Sequence, residues 1–403
     1  MKPVPNPQRR SLLLGTAASL ALPRVQAQAT ESPGVLMPRE LVFPRDHGTH
    51  NDARTEWWYL TGHAQDAQGR AFGFQVTFFR RRVDGTQRLT SRLAAKQLVF
   101  AHAAITDVMG QQLWHSDRIA RWNGEPPAAT GRGVYALEAD THVALGDWFI
   151  RRRPDGGYTT HVHSEDLRIE IDAAPTQAIL LQGERGFSRK GPDPAQSSFY
   201  VSHPQLDVRG TLAFQGQAFA FTRGKAWLDH EWSEALLHPE AVGWDWIGMN
   251  LFDGHCVTAF QLRRKDGSKV WAGGSFRAAG SAQSPTDIYR FRPGEVEWVA
   301  QRYWTSPRTR ARYPVEWMIR MPAQATAGPP QGGLHPLGGP GAARVGGQVL
   351  YTVKAVIDPQ ELDSRASTGT VYWEGLSDLF DSNGNHVGRG YLEMTGYAQR
   401  LVL

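Results

Sequence analysis

Short alternating segments dominate the chain, and helical periodicity is scarce. Apolar and polar residues alternate over 56–63 and 71–82, and residues 66–69 between them have the composition of a hairpin turn. Because strict alternation places one face of a strand against a core, both segments are predicted strands. Further strands are predicted at 98–108, 134–139, 157–163, 167–172, 210–229, 243–252, 256–264, 270–276, 350–357, 370–374 and 390–398. This spacing predicts an all-β protein of antiparallel barrels or sandwiches.

Length and strand density predict two domains. The chain has 403 residues, which is more than one hydrophobic core usually fills. The predicted strands are similarly dense in both halves, so we predict consecutive β domains at 30–215 and 216–403. Residues 326–348 are rich in Gly and Pro, which is typical of an inserted loop in the second domain.

The first 29 residues have the pattern of an export signal. Arg9 and Arg10 precede the apolar stretch 12–22, and Ala27-Gln28-Ala29 matches the Ala-x-Ala pattern of small residues before a signal-peptide cleavage site. The paired arginines resemble a twin-arginine signal peptide. We therefore predict that the protein is periplasmic or secreted.

Charge and cysteine content narrow the classes of function. The chain has 44 basic and 39 acidic residues, and four of the basic ones lie in 1–29, which has no acid. The rest of the chain has 40 basic and 39 acidic residues, and this near-neutral balance does not favour a nucleic-acid partner. Cys256 is the single cysteine, so an intramolecular disulfide is excluded.

One carboxyl group stands out in the segment 243–251. In a strand, Asp245 would share a face with Ile247 and other apolar residues, and Trp244 and Trp246 would lie on the opposite face. Burial would raise the pKa of this carboxyl, which suits a proton donor near neutral pH. The alternative is a structural Asp that accepts hydrogen bonds between packing tryptophans.

The segment 225–232 is rich in ionisable groups. His230 and Trp232 would point to one side of a strand, and Asp229 and Glu231 to the other. His230 could orient a water molecule or relay a proton. The alternative is a buried polar network that fixes a strand crossing.

The segment near the predicted mature start offers pocket walls. Trp58 and Tyr59 are candidates for them, with barrel core as the alternative. His47 and His50 are metal-ligand types, but the Gly, Thr and Asn around them indicate a loop, and we predict no metal site. The chain has no Gly-x-Ser-x-Gly motif, so a serine hydrolase of that class is unsupported.

Six separated motifs stand out along the chain. They are Glu-Trp-Trp-Tyr-Leu-Thr-Gly at 56–62, Gly-Phe-Ser-Arg-Lys-Gly at 186–191, Trp-Leu-Asp-His-Glu-Trp-Ser at 227–233, Gly-Trp-Asp-Trp at 243–246, Tyr-Trp-Glu-Gly at 372–375 and Gly-Tyr-Leu-Glu-Met-Thr-Gly-Tyr at 390–397. In sequence and order, over about residues 38–400, they resemble the AttH-like family, which includes the acyclic carotenoid 1,2-hydratases (hydroxyneurosporene synthases).

The resemblance implies two tandem lipocalin-like β-barrels and a site for long apolar molecules near their junction. In the hydratases, an Asp protonates a terminal C=C bond and water captures the tertiary carbocation. By motif, that Asp corresponds to Asp245, and the supporting His and aromatic residue correspond to His230 and Trp232. Tyr59 or Tyr372 could replace a supporting Tyr that has no counterpart in the motif.

Two hypotheses of different classes follow. The first is a cofactor-independent hydro-lyase with Asp245, His230 and Trp232 as catalytic residues. Its ligand would lie against the aromatic residues Trp58, Tyr59, Trp244, Trp246 and Tyr372. The second is a non-catalytic carrier of a lipid or isoprenoid, because exported members resemble components that work beside ABC transporters. Glycan binding is a weaker third hypothesis, based on the 14 tryptophans.

Overall fold

The fold is all-β, as predicted, and consists of two consecutive antiparallel sheets in the manner of tandem lipocalin-like barrels. The predicted signal peptide and nearly all of the predicted loop at 326–348 lie outside the described residues. The computed structural model describes residues 35–126, 133–235, 237–279, 288–323 and 347–401.

The first sheet curls into a nearly closed barrel. Its strands are β1 (Thr55–Asp66), β2 (Ala71–Arg82), β3 (Gln97–Asp107), β4 (Gln112–Trp122), β5 (Gly133–Ala136), β6 (His142–Gly146), β7 (Trp148–Arg152), β8 (Tyr158–His163), β9 (Leu167–Ala174), β10 (Leu180–Leu181), β11 (Phe187–Arg189), β12 (Ser197–Phe214) and β13 (Gln217–Ser233). The order is β4-β3-β2-β1-β13-β12-β9-β8-β7-β6-β5, and β10 and β11 pair with β12. The end strand β4 approaches β5, which nearly closes the barrel.

The second sheet follows in sequence. Its strands are β14 (Gly243–Leu251), β15 (Cys256–Arg263), β16 (Lys269–Arg277), β17 (Ile288–Arg290), β18 (Glu297–Thr305), β19 (Arg312–Pro322), β20 (Gln348–Ala355), β21 (Glu361–Ser364), β22 (Thr370–Phe380) and β23 (His386–Met394). The order is β17-β16-β15-β14-β23-β22-β20-β19-β18, and β21 pairs with β22.

The change from one sheet to the other lies between Ser233 and Gly243. The boundary predicted at 215/216 falls in the tight turn of the β12–β13 hairpin, whose ends Phe214 and Gln217 pair directly. In its local sequence this turn resembles a domain boundary, but β13, the strand that follows it, belongs to the first sheet. The division of the chain into domains remains a prediction.

Several central strands are buried on both faces. On β1, Trp58 and Leu60 belong to the core of the first barrel, whereas Tyr59 packs against Trp246 of the second sheet. The sheets approach closely at Gly73 of β2, where a Cβ atom would lie 2.7 Å from the Tyr391 hydroxyl oxygen. A second buried surface therefore lies between the two sheets, outside either core.

Among the described residues, no helix combines the length and apolarity that a bilayer crossing requires.

Candidate functional site

A cavity of about 270 Å³ lies between the two sheets. Strands β1, β2, β3, β4, β12 and β13 line it from the first sheet, and β14, β15, β22 and β23 line it from the second. Its walls are largely apolar and aromatic. At one end the wall includes Ile119, which is 46% exposed, so the cavity reaches the surface there.

Four of the five aromatic residues predicted to contact a ligand line this cavity: Tyr59, Trp244, Trp246 and Tyr372. The ring edge of Tyr59 meets Trp246 with centroids 5.4 Å apart. The fifth, Trp58, points into the barrel core, because alternation along β1 sends neighbouring side chains to opposite faces.

Asp229 is held on the cavity wall by three hydrogen bonds. Its Oδ1 accepts from Ser202 Oγ and Trp227 Nε1, both at 2.6 Å, and its Oδ2 accepts from Tyr200 Oη at 2.7 Å. Burial raises the pKa of Asp229 to about 7, although these donors oppose the shift. A carboxylate with three fixed donors is well suited to hold its neighbours in place.

Glu231 lies two residues further along the same face of β13. Its Oε1 is 2.9 Å from Lys190 Nζ and accepts from Ser198 Oγ at 2.5 Å. The Lys190 ammonium also lies 4.4 Å from the ring centroids of Tyr200 and Phe260. The buried lysine is thus compensated by one carboxylate and two aromatic faces.

Glu374 and Glu393 form the acidic part of the opposite wall. They are directly paired across β22 and β23, and both line the cavity. Burial and the Glu393 charge raise the pKa of Glu374 well above its usual range. Burial raises the pKa of Glu393 to about 7, and the charges of Asp229 and Glu231 add to the shift.

Tyr59 and Glu374 form a pair in the cavity wall: the Tyr59 hydroxyl interacts with the Glu374 carboxyl, and neither this hydroxyl nor Glu374 Oε1 has a further partner among the described residues. The other oxygen of Glu374, Oε2, accepts from Gln75 Nε2 at 2.5 Å. Burial raises the pKa of Tyr59 well above its usual value, so its hydroxyl stays neutral. The Tyr59–Glu374 pair borders the cavity, so both groups can also contact a bound molecule or water.

Tyr372 is fixed by the first sheet. Its hydroxyl lies 2.8 Å from His102 Nδ1, and His102 Nε2 lies 3.2 Å from Ser367 Oγ. Burial lowers the pKa of His102 to about 4, so the imidazole is neutral. The contact links β3 to β22 across the junction.

Asp245 lies outside the cavity lining, which corrects the predicted placement. Because Trp244 and Trp246 project into the cavity, the residue between them projects away from it. Its Oδ2 lies 2.8 Å from Arg263 Nε, and its Oδ1 accepts from Tyr397 Oη at 2.9 Å. Burial raises the pKa of Asp245, and Arg263 opposes the shift. The face is apolar, as predicted, but it belongs to the second core.

His230 and Trp232 also lie outside the cavity lining. They share one face of β13, as alternation predicted, but Asp229 and Glu231 are the residues that face the cavity. Trp232 stacks on His50 with centroids 3.6 Å apart. The predicted catalytic residues are therefore separated from the cavity by the strands that carry them.

His230 joins a network around Glu56. His230 Nε2 and His50 Nδ1 each lie 2.9 Å from Glu56 Oε1, and Arg80 Nε lies 2.9 Å from Oε2. Burial opposes ionisation of Glu56, but Arg80 and the two histidines bring its pKa well below the usual value. This network ties the segment before β1 to the strand face.

The same network is the candidate metal cluster among the described residues. Ligand atoms of His50, Glu56 and His230 all lie within 4.8 Å of one another, and these are ligand types that zinc accepts. Arg80 already neutralises the Glu56 carboxylate, and its positive charge would repel a cation bound beside it. The arrangement fits a hydrogen-bonded ion-pair network better than a cation site.

Sequence reasoning assigned no role to Lys190, Glu374 or Glu393. Each lies within a motif of the family resemblance, namely Gly-Phe-Ser-Arg-Lys-Gly, Tyr-Trp-Glu-Gly and Gly-Tyr-Leu-Glu. Alternation along the predicted strand 370–374 would have put Glu374 on the same face as Tyr372, but nothing in the sequence indicated that this face meets another sheet.

Comparison with known proteins places the chain in a family. Residues 34–328 match the AttH family, described as AttH-like. The crystal structure of a candidate AttH from Nitrosomonas europaea is 39% identical, with 91% of this chain and 99% of that chain covered and a TM-score of 0.74. Kievitone hydratase from Nectria haematococca shares the fold at 11% identity, with 89% and 94% covered and a TM-score of 0.62. A search of curated proteins gave no significant match. The chain belongs to the AttH-like family.

Proposed function

We propose that the cavity binds an apolar molecule with a C=C bond and that the Glu374–Glu393 pair protonates it, so that water adds across the bond. The observation that carries the proposal is a pair of neighbouring carboxyl groups with raised pKa values in an aromatic cavity, one of them buried (Glu374) and one half-buried (Glu393). An acid that stays protonated near neutral pH can donate to a poorly basic carbon.

Glu374 is the proton donor in this scheme. Gln75 donates to Oε2, which leaves the acidic proton to Oε1, on a carboxyl that also interacts with the Tyr59 hydroxyl. The two neighbouring carboxyl groups resist double ionisation, so one proton stays on the pair. Asp229 is less suited, because both of its oxygens already accept hydrogen bonds from fixed donors.

The chemistry balances without a cofactor. The Glu374 O–H bond breaks as a C–H bond forms at the less substituted alkene carbon. Positive charge develops on the other carbon, where the faces of Trp246 and Tyr59 can stabilise it. A water oxygen then bonds to that carbon, and one of its protons returns to the carboxyl pair. Exclusion of bulk water keeps the acid protonated and prevents uncontrolled reactions of the carbocation with solvent.

Family membership and fold support the proposal. The chain belongs to the AttH-like family, its motifs resemble those of the acyclic carotenoid hydratases, and it shares its fold with a protein named as a hydratase. The cavity is near the lower end of the range for ligand sites, about 300–1,000 Å³. It therefore suits one end of a long apolar molecule whose remainder leaves by the Ile119 end.

Incubation with an acyclic isoprenoid such as lycopene in isotopically labelled water tests the proposal. The wild type should give a labelled tertiary alcohol, and Glu374→Gln should give at least about 100-fold less. Asp245→Asn is the matched control, because it alters a buried acid outside the cavity and should retain most of the activity. Equal product from the wild type and Glu374→Gln would remove Glu374 from the donor role.

The second candidate is a carrier that binds the same class of molecule without converting it. The apolar lining of the cavity suits a carrier as well as it suits a hydratase. The carboxyl pair is the feature that favours the hydratase over the carrier. Native mass spectrometry distinguishes them, because an unmodified co-purified ligand with no labelled product favours the carrier. Export to the periplasm and partnership with an ABC transporter remain predictions.

A further inference from the structure

The connection between β2 and β3 exposes two large apolar side chains. Leu89 is 50% exposed and Leu93 is 70% exposed. Between and beside them lie Arg88 and Arg92, which are also exposed. We call residues 84–96 the β2–β3 loop. Exposed leucines among basic residues are typical of segments that contact a lipid surface.

The conformation of the β2–β3 loop is fixed by hydrogen bonds across its base. Thr86 Oγ1 donates to Ala95 O at 2.6 Å, and Gln87 Nε2 donates to Lys96 O at 2.6 Å. Ala94 is buried beneath them. Because the base is held in this way, the leucines are presented outward by the fold.

The β2–β3 loop carries uncompensated positive charge. Residues 85–96 include Arg88, Arg92 and Lys96 and no acidic residue. None of these three side chains forms an ion pair with a described residue. The one acid of the loop, Asp84, is paired with Arg54 and Arg82. The free charges would complement an anionic surface.

The β2–β3 loop lies at the open end of the cavity. It begins three residues after Arg81 and ends two residues before Leu98, and these two residues pair across β2 and β3. Both line the cavity. Leu98 also pairs with Arg121 of β4, two residues from the exposed cavity-lining Ile119.

We propose that the β2–β3 loop docks on an anionic lipid bilayer, with Leu89 and Leu93 inserted between head groups. Docking would bring the open end of the cavity to the membrane, where an apolar molecule is stored. We infer membrane binding from the β2–β3 loop alone. Only the purpose of that binding, which is to bring the open end of the cavity to the membrane, rests on the proposed function.

Co-flotation with lipid vesicles tests the inference. The protein is mixed with vesicles of phosphatidylcholine alone or with phosphatidylglycerol added. Wild type should partition onto the anionic vesicles, and binding should weaken as salt is raised. Leu89→Ser combined with Leu93→Ser should weaken partitioning by about tenfold or more. Arg88→Ser combined with Arg92→Ser should weaken it and reduce its salt dependence.

Met109→Ser is the matched control. Met109 is 67% exposed and lies in the turn at the far end of β3, so its loss should leave partitioning unchanged. Any contribution of the N-terminal segment is common to all variants and cancels in the comparison. Thermal unfolding checks that each variant is folded, which we expect because the replaced side chains are exposed.

Three results would overturn the inference: no partitioning of the wild type onto anionic vesicles, equal partitioning of the leucine variant, or an equal loss in Met109→Ser. Hydration of a detergent-solubilised isoprenoid is measured in parallel. Loss of vesicle binding with hydration intact would refute only the docking surface. Vesicle binding without any hydration would refute only the proposed reaction.

Discussion

Glu374 and Glu393 face each other across neighbouring strands, so a buried and a half-buried carboxyl group share one patch of the cavity wall. Like charges in this position repel strongly, and burial adds to the penalty on ionisation. The pair therefore keeps a proton at a pH at which an exposed glutamate would have lost it. This relationship makes the second sheet, and not Asp245, the source of the proposed acid.

The pH dependence of turnover should follow this pair. Because the donor must be protonated, the rate should be highest at low pH and should fall as the pH rises through the pKa of the pair. Glu393→Gln removes a charge that raises the pKa of Glu374. The falling limb should therefore move to lower pH in that variant. A pH–rate profile of both proteins measures this, and an unchanged limb would contradict coupling between the two groups.

Stability should depend on the ionisation of Glu393. Burial raises its pKa from 4.5 to about 7, so its favourable contribution is full below about pH 4.5 and is lost as the pH rises through about 7. Glu393→Gln cannot ionise and lacks this loss. Between about pH 4 and pH 8, the wild type should lose about 3 kcal/mol of unfolding free energy relative to the variant. Denaturant unfolding across this range provides the measurement, and parallel curves would refute the assignment.

Asp245 should matter for stability more than for turnover. Arg263 is buried beside it, so Asp245→Asn leaves an uncompensated charge and should lower the unfolding free energy by about 3 kcal/mol. Replacing both Asp245 and Arg263 by apolar residues should be less damaging than the sum of the single changes. A double-mutant cycle measures the coupling, and additive losses would contradict it.

Tyr59→Phe separates function from stability. The Tyr59 hydroxyl interacts with the Glu374 carboxyl and has no further hydrogen-bond partner among the described residues, so its removal should change the unfolding free energy only slightly. Turnover should fall by about tenfold or more if the hydroxyl positions water or product. Tyr200→Phe is the comparison, because it removes the hydrogen bonds to Asp229 and Trp246 and should destabilise the protein. Equal thermal stability of the two variants would argue against this distinction.

Much of the strand pattern was predictable from the sequence. The predicted strands at 56–63, 71–82 and 98–108 overlap β1, β2 and β3. They were recognisable because every second side chain packs into the barrel core and is apolar. The prediction missed β4, β6, β7, β18 and β19, the short strands β10, β11, β17 and β21, and most of β12. In β4 most side chains are only half-buried and carry polar groups, so local alternation is weak.

Alternation also predicted which residues of the site share a face. It grouped His230 with Trp232 and set Asp229 and Glu231 opposite, which agrees with the structure. It could not decide which of the two faces met a cavity, because both faces of β13 are buried. The choice of Asp245, His230 and Trp232 followed motif and composition, and the cavity lies on the other face of the strands.

The sequence by itself determined the family, the all-β class and the pairing of side chains on each strand face, because these depend on local alternation and on ordered motifs. Only the tertiary structure decided where the cavity lies. It forms where the outer faces of the two sheets meet, and this brings Tyr59 of β1 against Trp246 of β14, 187 positions apart in the chain. No local pattern encodes a contact between strands so distant in sequence, since it depends on how two separately formed sheets pack.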